Sequence, residues 1–304
     1  MSDVPSRVVL REVGPRDGLQ NEPPVPTPAK VELIDALGGT GLAEIEAVSY
    51  VHPRAIPQMA DAAEVWAQVS PREQISYSAL VPNLVGTRRA LESGFTELEV
   101  VVSASRTHNL RNLNRTPEES LDAIAEVIDV VHQAGARCQV IVATAFGCPY
   151  EGELEESGVL AVADRAVAHG ADSVCFGDTT GMGSPPRVTR VLGGFRERHP
   201  DVPVALHLHD TRGTGLPNLV AGLQVGVDRF DASVGGLGGC PYAPGAAGNV
   251  ATEEVVYLLH ELGVETGVDL DALLEVAELA ERIVDRRLPS RLVRSGPRTR
   301  LTPA

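Results

Sequence analysis

The chain has 304 residues, of which 43% are hydrophobic and 22% are charged, and its formal net charge is -15 at pH 7. This acidic balance argues against a nucleic-acid partner, because phosphates attract a basic surface. No apolar run approaches the length of a membrane-spanning helix, and we recognise neither a secretory or transit signal in the first residues nor a lipidation signal in the last four. We therefore expect a cytoplasmic protein with no membrane partner.

Eight short β-branched runs alternate with longer amphipathic stretches. The predicted strands cover residues 7–14, 43–49, 74–81, 97–103, 137–144, 172–178, 202–210 and 228–236. Their near-even spacing, with helical patterns between them, favours a closed barrel over an open doubly wound sheet. We predict an α/β protein in which residues 1–304 form one catalytic domain, a (β/α)8 TIM barrel over about residues 7–264 with an appended C-terminal helix.

The helical patterns carry their own signals. Thr116, followed by proline and two glutamates, is typical of a capped helix start. The pattern of residues 59–69 predicts a helix, and a further helix is predicted after the eighth strand. The C-terminal extension, about residues 268–304, holds seven arginines between Arg282 and Arg300. That basic tail is either a solvated helix end, which we favour, or a patch that binds an anion.

Polar residues stand where such a barrel places its active site, at the C-terminal ends of the strands. They are Arg16 and Asp17 after the first strand, Glu46 and Ser49 at the end of the second, Asp178 at the end of the sixth, and His207 and His209 in the seventh.

His207 and His209 are the most specific of these residues. Side chains two apart on a strand share a face, so both imidazoles are expected to point into the barrel mouth. A single strand histidine is more often a core residue, but two on one face favour a metal site. We choose Asp17 as the carboxylate ligand and Asn249 as the fourth. This donor set suits Mg²⁺ or Mn²⁺, with the histidines favouring manganese, rather than zinc.

An open divalent site acts as a Lewis acid that orients a hydroxyl and a carbonyl. Arg16 would stabilise negative charge on an enolate oxygen, although a salt bridge to Asp178 or Glu46 is the structural alternative. The chain has a single lysine, Lys30, and it lies in a predicted helix, which excludes a Schiff-base aldolase. Carbon–carbon bond chemistry would then depend on the metal.

A glycine-rich stretch runs from Gly235 to Asn249, with six glycines and two prolines around Cys240. Such a composition predicts a mobile loop that could bring the thiol to the site for proton transfer, the alternative being an inert surface thiol. Cys148, in a stretch with less glycine, is predicted to pack beside the pocket. The four cysteines show no spacing of a disulfide framework or zinc ribbon.

Five motifs resemble those of the 3-hydroxy-3-methylglutaryl-CoA lyase family, whose members are metal-dependent barrel enzymes. They read EVGPRDGLQNE, GCPYEG, GDTTG, HLHDT and GGLGGCPYAPGAAGNVATEEVVYLL, and the resemblance extends from about Val9 to Gly267. It implies that Asp17, His207, His209 and Asn249 bind Mg²⁺ or Mn²⁺, that Arg16 stabilises an enolate, that Glu46 and Asp178 support the site, and that Cys240 lies on a closing loop.

The reaction that the resemblance implies is the cleavage of 3-hydroxy-3-methylglutaryl-CoA to acetyl-CoA and acetoacetate, in the family setting of leucine degradation. His207 or Asp178 would take the proton of the substrate hydroxyl, and Cys240 or a water would protonate the departing enolate. The turn GPRDGLQ and the strand end HLHDT favour this cleaving branch over the synthases, which carry TLRDGEQ and HxHND.

Arg16, Gln20, Ser49 and Arg212 are predicted to contact the acyl-CoA substrate, and a homodimer is expected. Arg212 stands where many family members carry an aromatic residue in HDTYG. The acyl group therefore has alternatives, among them citramalyl-CoA. Two further alternatives are a synthase or aldolase with the same metal site, and a non-catalytic barrel that senses CoA or metal.

The role of Cys240 is testable by replacing it with serine. We expect Cys240→Ser to slow turnover and to leave metal binding in place, because a hydroxyl is a much weaker acid than a thiol. Steady-state kinetics under reducing conditions, with metal affinity measured on the same preparation, provide the test. Full activity of the variant would assign the thiol to an inert surface position.

Overall fold

Eight parallel strands close into a barrel whose order around the axis is the order along the chain. The computed structural model describes residues 4–239 and 248–301. The strands are β1 (Val9–Glu12), β2 (Glu44–Ser49), β3 (Ser76–Leu80), β4 (Glu97–Ser103), β5 (Arg137–Ala143), β6 (Ser173–Asp178), β7 (Val204–Leu208) and β8 (Arg229–Ala232). Each lies within its predicted range, so the predicted (β/α)8 barrel is confirmed.

Helices connect consecutive strands and cover the outside of the sheet. They are α1 (Thr27–Leu37), α2 (Ala62–Trp66), α3 (Leu84–Glu92), α4 (Arg106–Leu113), α5 (Pro117–Gln133), α6 (Glu156–Ala168), α7 (Pro185–Arg198), α8 (Gly215–Gln224), α9 (Thr252–Glu261), α10 (Leu270–Val284) and α11 (Leu292–Ser295). The predicted helix 59–69 is α-helical only over α2. Within residues 4–239 and 248–301, every helix is too short or too polar to span a bilayer.

Hydrogen bonds of polar side chains stabilise two of these helices. Thr116 accepts a hydrogen bond from the Glu119 amide at 3.2 Å, and the Glu119 carboxylate accepts one from the Thr116 amide at 2.8 Å. This reciprocal cap confirms the predicted start of α5. Helix α4 was not predicted, because polar contacts rather than an apolar face hold it: the Asn109 side chain accepts from the Ser103 amide and donates to Ser120 Oγ, both at 2.8 Å.

The basic tail folds back on the barrel through ion pairs. Arg286 pairs with Glu22 in the segment between β1 and α1, and Arg294 pairs with Glu281 of α10. Two further arginines pair with α9, Arg291 with Glu254 at 3.1 Å and Arg298 with Glu261 at 2.7 Å. Carboxylates of the chain itself therefore take up much of the tail's positive charge.

Glu12 joins the first and last strands at the mouth of the barrel. Its Oε1 accepts hydrogen bonds from the Gly14 amide at 2.7 Å and the Val234 amide at 2.9 Å, while Oε2 accepts one from the Thr252 hydroxyl at 2.6 Å. The side chain is completely buried. Burial raises the pKa of Glu12 to about 7, although these hydrogen bonds oppose the shift.

This raised pKa predicts a dependence of stability on pH. A carboxyl whose folded pKa is above its unfolded pKa binds its proton more tightly when folded, so its contribution is complete below about pH 4.5 and is lost as pH rises through about 7. The wild type should therefore lose stability relative to Glu12→Gln between pH 5 and pH 7.5, by at most ~1.4 kcal/mol per pH unit. Urea unfolding of both proteins measures this difference, and a difference that is constant with pH would contradict it.

Candidate active site

Arg16 and Asp17 reach the barrel mouth from a wide helical turn. Gly14–Gly18 forms one π-helical turn directly after β1, and the amides of Arg16, Asp17 and Gly18 all donate to the Val13 carbonyl, at 3.2, 2.7 and 3.2 Å. A turn of this kind is rare and frequently marks a functional site. Both side chains are buried.

Asp17, His207 and His209 bring their ligand atoms together. The Nε2 atoms of the two histidines are 3.1 Å apart, and Asp17 Oδ2 lies 4.0 Å from His207 Nε2 and 3.8 Å from His209 Nε2. One ligand atom from each residue lies within 4.8 Å of the others. Two ligands at right angles, each about 2.1 Å from one ion, are about 3.0 Å apart. The group therefore has the dimensions to hold a metal ion.

Asn249 lies against the same group. It forms an isolated bridge with His209, and its Nδ2 donates to Asp17 Oδ2 at 2.8 Å and to the Leu237 carbonyl at 3.1 Å. Its Oδ1 is buried without a hydrogen-bond partner among the described residues. Buried acceptors are rarely left unpaired. An amide oxygen, a carboxylate and two imidazoles thus form a donor set that fits a divalent cation.

Arg16 lies between two carboxylates. Its Nε is 2.6 Å from Glu46 Oε1, and its Nη1 is 2.8 Å from Asp17 Oδ1. Burial alone would lower the pKa of Arg16, but Glu46 and Asp17 raise it well above its usual value. Burial would raise the pKa of Asp17, yet Arg16 and the two histidines lower it to about 2. Arg16 therefore stays cationic and Asp17 stays anionic. Of the two salt bridges considered as alternatives for Arg16, the one to Glu46 is present.

Asp178 ends β6 at the same mouth. Its Oδ1 accepts hydrogen bonds from the amides of Met182 at 2.9 Å and Gly183 at 3.0 Å. A side chain at position 183 would lie 2.8 Å from Asp178 Oδ2, so the turn needs glycine there. Burial raises the pKa of Asp178 to about 6, against the opposing effect of these amides. This carboxyl can exchange a proton near neutral pH.

The residues predicted to contact substrate occupy different places. Gln20 Nε2 donates to Asp17 Oδ1 at 2.6 Å, so Gln20 also supports Asp17. The Ser49 hydroxyl, at the end of β2, is 3.3 Å from the Leu80 carbonyl. Arg212 is exposed at the rim, where Nη1 donates to the carbonyls of Thr180 and Gly181, both at 2.9 Å.

Three of the four cysteines, Cys138, Cys148 and Cys175, lie among the described residues, and all three are buried. Cys148 is fully buried, and its thiol donates to Ser105 Oγ at 3.0 Å. Cys240, the predicted proton-transfer residue, lies outside the described residues.

Asp231 is a site residue that sequence reasoning missed. It lies on β8 as the register partner of His207, and its Oδ2 is 3.2 Å from His207 Nδ1. Successive side chains of a strand alternate between its two faces, so Asp231 lies on the face opposite to Phe230 of the hydrophobic core, and this was the available signal.

The chain matches known proteins over nearly its whole length. Residues 7–280 match the HMGL-like family. The chain is 43% identical to hydroxymethylglutaryl-CoA lyase YngG of Bacillus subtilis (strain 168) over 288 residues, which cover 94% of this chain and 96% of that protein. It is 43% identical to the mitochondrial hydroxymethylglutaryl-CoA lyase of Gallus gallus over 295 residues, which cover 97% and 99%.

A solved structure agrees with this likeness. An HMG-CoA lyase from Acinetobacter baumannii, in complex with coenzyme A and 3-methylmalate, superposes with a TM-score of 0.94 at 41% sequence identity, covering 98% of each chain. These matches extend over every strand of the barrel and over the residues that form its mouth. The chain belongs to the HMGL-like family.

Proposed function

We propose that the chain is a carbon–carbon lyase that depends on a divalent cation and cleaves 3-hydroxy-3-methylglutaryl-CoA to acetyl-CoA and acetoacetate. The observation that carries this proposal is that the side chains of Asp17, His207 and His209 come together beside the guanidinium of Arg16. The chain is also 43% identical to two proteins named hydroxymethylglutaryl-CoA lyase. A cation site next to a fixed positive charge suits a reaction that releases an enolate.

Asp17, His207, His209 and Asn249 would hold the cation, which we propose is Mg²⁺ or Mn²⁺. Two oxygen donors and two imidazoles, with no thiolate among them, fit these ions better than a structural zinc site. A bound divalent cation supplies Lewis acidity that lowers the pKa of a substrate hydroxyl and orients a carbonyl. The low pKa of Asp17 keeps its carboxylate charged for binding across the physiological pH range.

Arg16 would stabilise the negative charge that develops on the acetyl-CoA enolate oxygen. Its guanidinium is buried and already held by Glu46 and Asp17, so it needs no rearrangement during the reaction. A preorganised donor of this kind typically accelerates a reaction by about 10²–10³-fold. Glu46 thus acts through Arg16 by keeping it in place.

Asp178 is our choice for the base that takes the hydroxyl proton. The alternative, His207, has Nδ1 beside Asp231 and Nε2 facing His209, which leaves no nitrogen for the substrate. The pKa of Asp178, about 6, is close to the pH at which a general base works well. Cys240 as donor of the last proton stays a prediction, as do the dimer and the cytoplasmic location.

The substrate assignment is tested by incubating the protein with Mn²⁺ and an acyl-CoA panel. Release of acetyl-CoA and acetoacetate from 3-hydroxy-3-methylglutaryl-CoA is expected. Citramalyl-CoA, whose cleavage would give acetyl-CoA and pyruvate, is the second arm, because Arg212 stands where many family members carry an aromatic residue. Faster cleavage of citramalyl-CoA would reassign the substrate, and no product from either compound would contradict the lyase proposal.

The cation site is tested separately with His209→Ala. This variant should weaken Mn²⁺ binding by more than about 100-fold in calorimetry, since it removes a ligand from a buried site. His132→Ala is the matched control, because His132 is half-exposed and pairs with Asp172 outside the site. Unchanged Mn²⁺ affinity of folded His209→Ala would refute the ligand assignment.

A further inference from the structure

Asp231 connects the candidate cation site to a buried ion-pair network inside the barrel. Arg11 of β1 binds this carboxylate in a bidentate manner, with Nε 2.9 Å from Oδ1 and Nη2 2.7 Å from Oδ2. The third nitrogen of Arg11, Nη1, is 2.6 Å from Glu99 Oε1 of β4. Ser78 Oγ of β3 donates to the same Glu99 oxygen at 2.5 Å. All of these side chains are buried, so the network is rigidly held.

The network determines which of the two ring nitrogens of His207 carries the proton. A carboxylate bound by a guanidinium is an acceptor only, so the imidazole nitrogen that faces it must bear hydrogen. That nitrogen is Nδ1, 3.2 Å from Asp231 Oδ2. In a neutral imidazole the other nitrogen, Nε2, then keeps its lone pair. Nε2 is the atom that faces His209 Nε2 and Asp17.

We propose that Asp231, held by Arg11, is a positioning residue that fixes His207 in the Nδ1–H tautomer and so presents Nε2 to a divalent cation. This inference rests on the cation site of the proposed function. His207 Nδ1 has a carboxylate partner, whereas His209 Nδ1 is buried without a hydrogen-bond partner among the described residues. Carboxylate partners of this kind orient metal-binding histidines and raise their basicity.

A purely structural role for Asp231 would be to neutralise Arg11. Glu99 already provides Arg11 with a carboxylate at 2.6 Å, so charge balance does not by itself account for a second one. The two roles also differ in what a substitution changes. Loss of a structural ion pair lowers stability alone, whereas loss of a positioning contact changes the tautomer of His207 and the affinity for the cation.

Asp231→Asn is the discriminating variant. Its amide group can donate to His207 Nδ1, which favours the opposite tautomer, with hydrogen on Nε2. We expect about 10- to 100-fold weaker Mn²⁺ binding in calorimetry. Nitrogen-15 NMR of histidine-labelled protein without metal should show His207 protonated on Nδ1 in the wild type and on Nε2, at least in part, in the variant.

Cys175→Ala is the matched control. The Cys175 thiol lies 3.7 Å from the same Asp231 oxygen but makes no contact that sets the tautomer of His207. Its removal should leave the NMR pattern unchanged and Mn²⁺ affinity within about twofold. Thermal unfolding of all three proteins identifies any variant that is not folded.

Three results would overturn the proposal. These are wild-type Mn²⁺ affinity in folded Asp231→Asn, an unchanged His207 tautomer in that variant, and a wild-type protein whose His207 carries its proton on Nε2. The last result needs no variant, so the proposal stays testable if Asp231→Asn does not fold. Because the readouts are a tautomer and a metal affinity, they are independent of whether the chain cleaves 3-hydroxy-3-methylglutaryl-CoA.

Discussion

Two imidazole nitrogens that face each other at 3.1 Å in a buried pocket are the central constraint on this barrel. They cannot both carry protons at that distance, and burial, together with His207, lowers the pKa of His209 to about 4. A negatively charged carboxylate, Asp17, lies within 4.0 Å of both nitrogens. Lone pairs and negative charge directed at one point are what a divalent cation requires, and the proposed chemistry depends on that arrangement.

The charges around this point are arranged so that each has a partner. Arg16 lies between Glu46 and Asp17, and Arg11 lies between Glu99 and Asp231. Unpaired buried charges are costly, so these pairs keep two guanidinium groups in place inside the barrel. One pair reaches the mouth where an enolate would form, and the other reaches the imidazole that would bind the cation. Fixed electrostatics of this kind do not have to reorganise when charge develops.

The sequence predicted the barrel because strand and helix signals were local. The β-branched runs and the capped start at Thr116 depend on neighbours in the chain, and a histidine pair two apart on a strand shares a face by geometry alone. What could not be predicted depends on contacts between distant residues. Helix α4 has no apolar periodicity, and it forms because Asn109 bonds to Ser103 and Ser120.

The same reason explains the partners that were missed at the site. Glu46 was expected near Arg16, but the position of Asp231 beside His207 follows from the register of β7 and β8, which no single segment contains. Gln20 was assigned to substrate, and its contact with Asp17 depends on the turn after β1.

Diffraction from crystals grown with Mn²⁺, recorded at a wavelength where manganese scatters anomalously, tests the central claim most directly. The account predicts one strong anomalous peak about 2.0–2.3 Å from His207 Nε2, from His209 Nε2 and from an Asp17 carboxylate oxygen. A peak elsewhere, or no peak at saturating Mn²⁺, would contradict it.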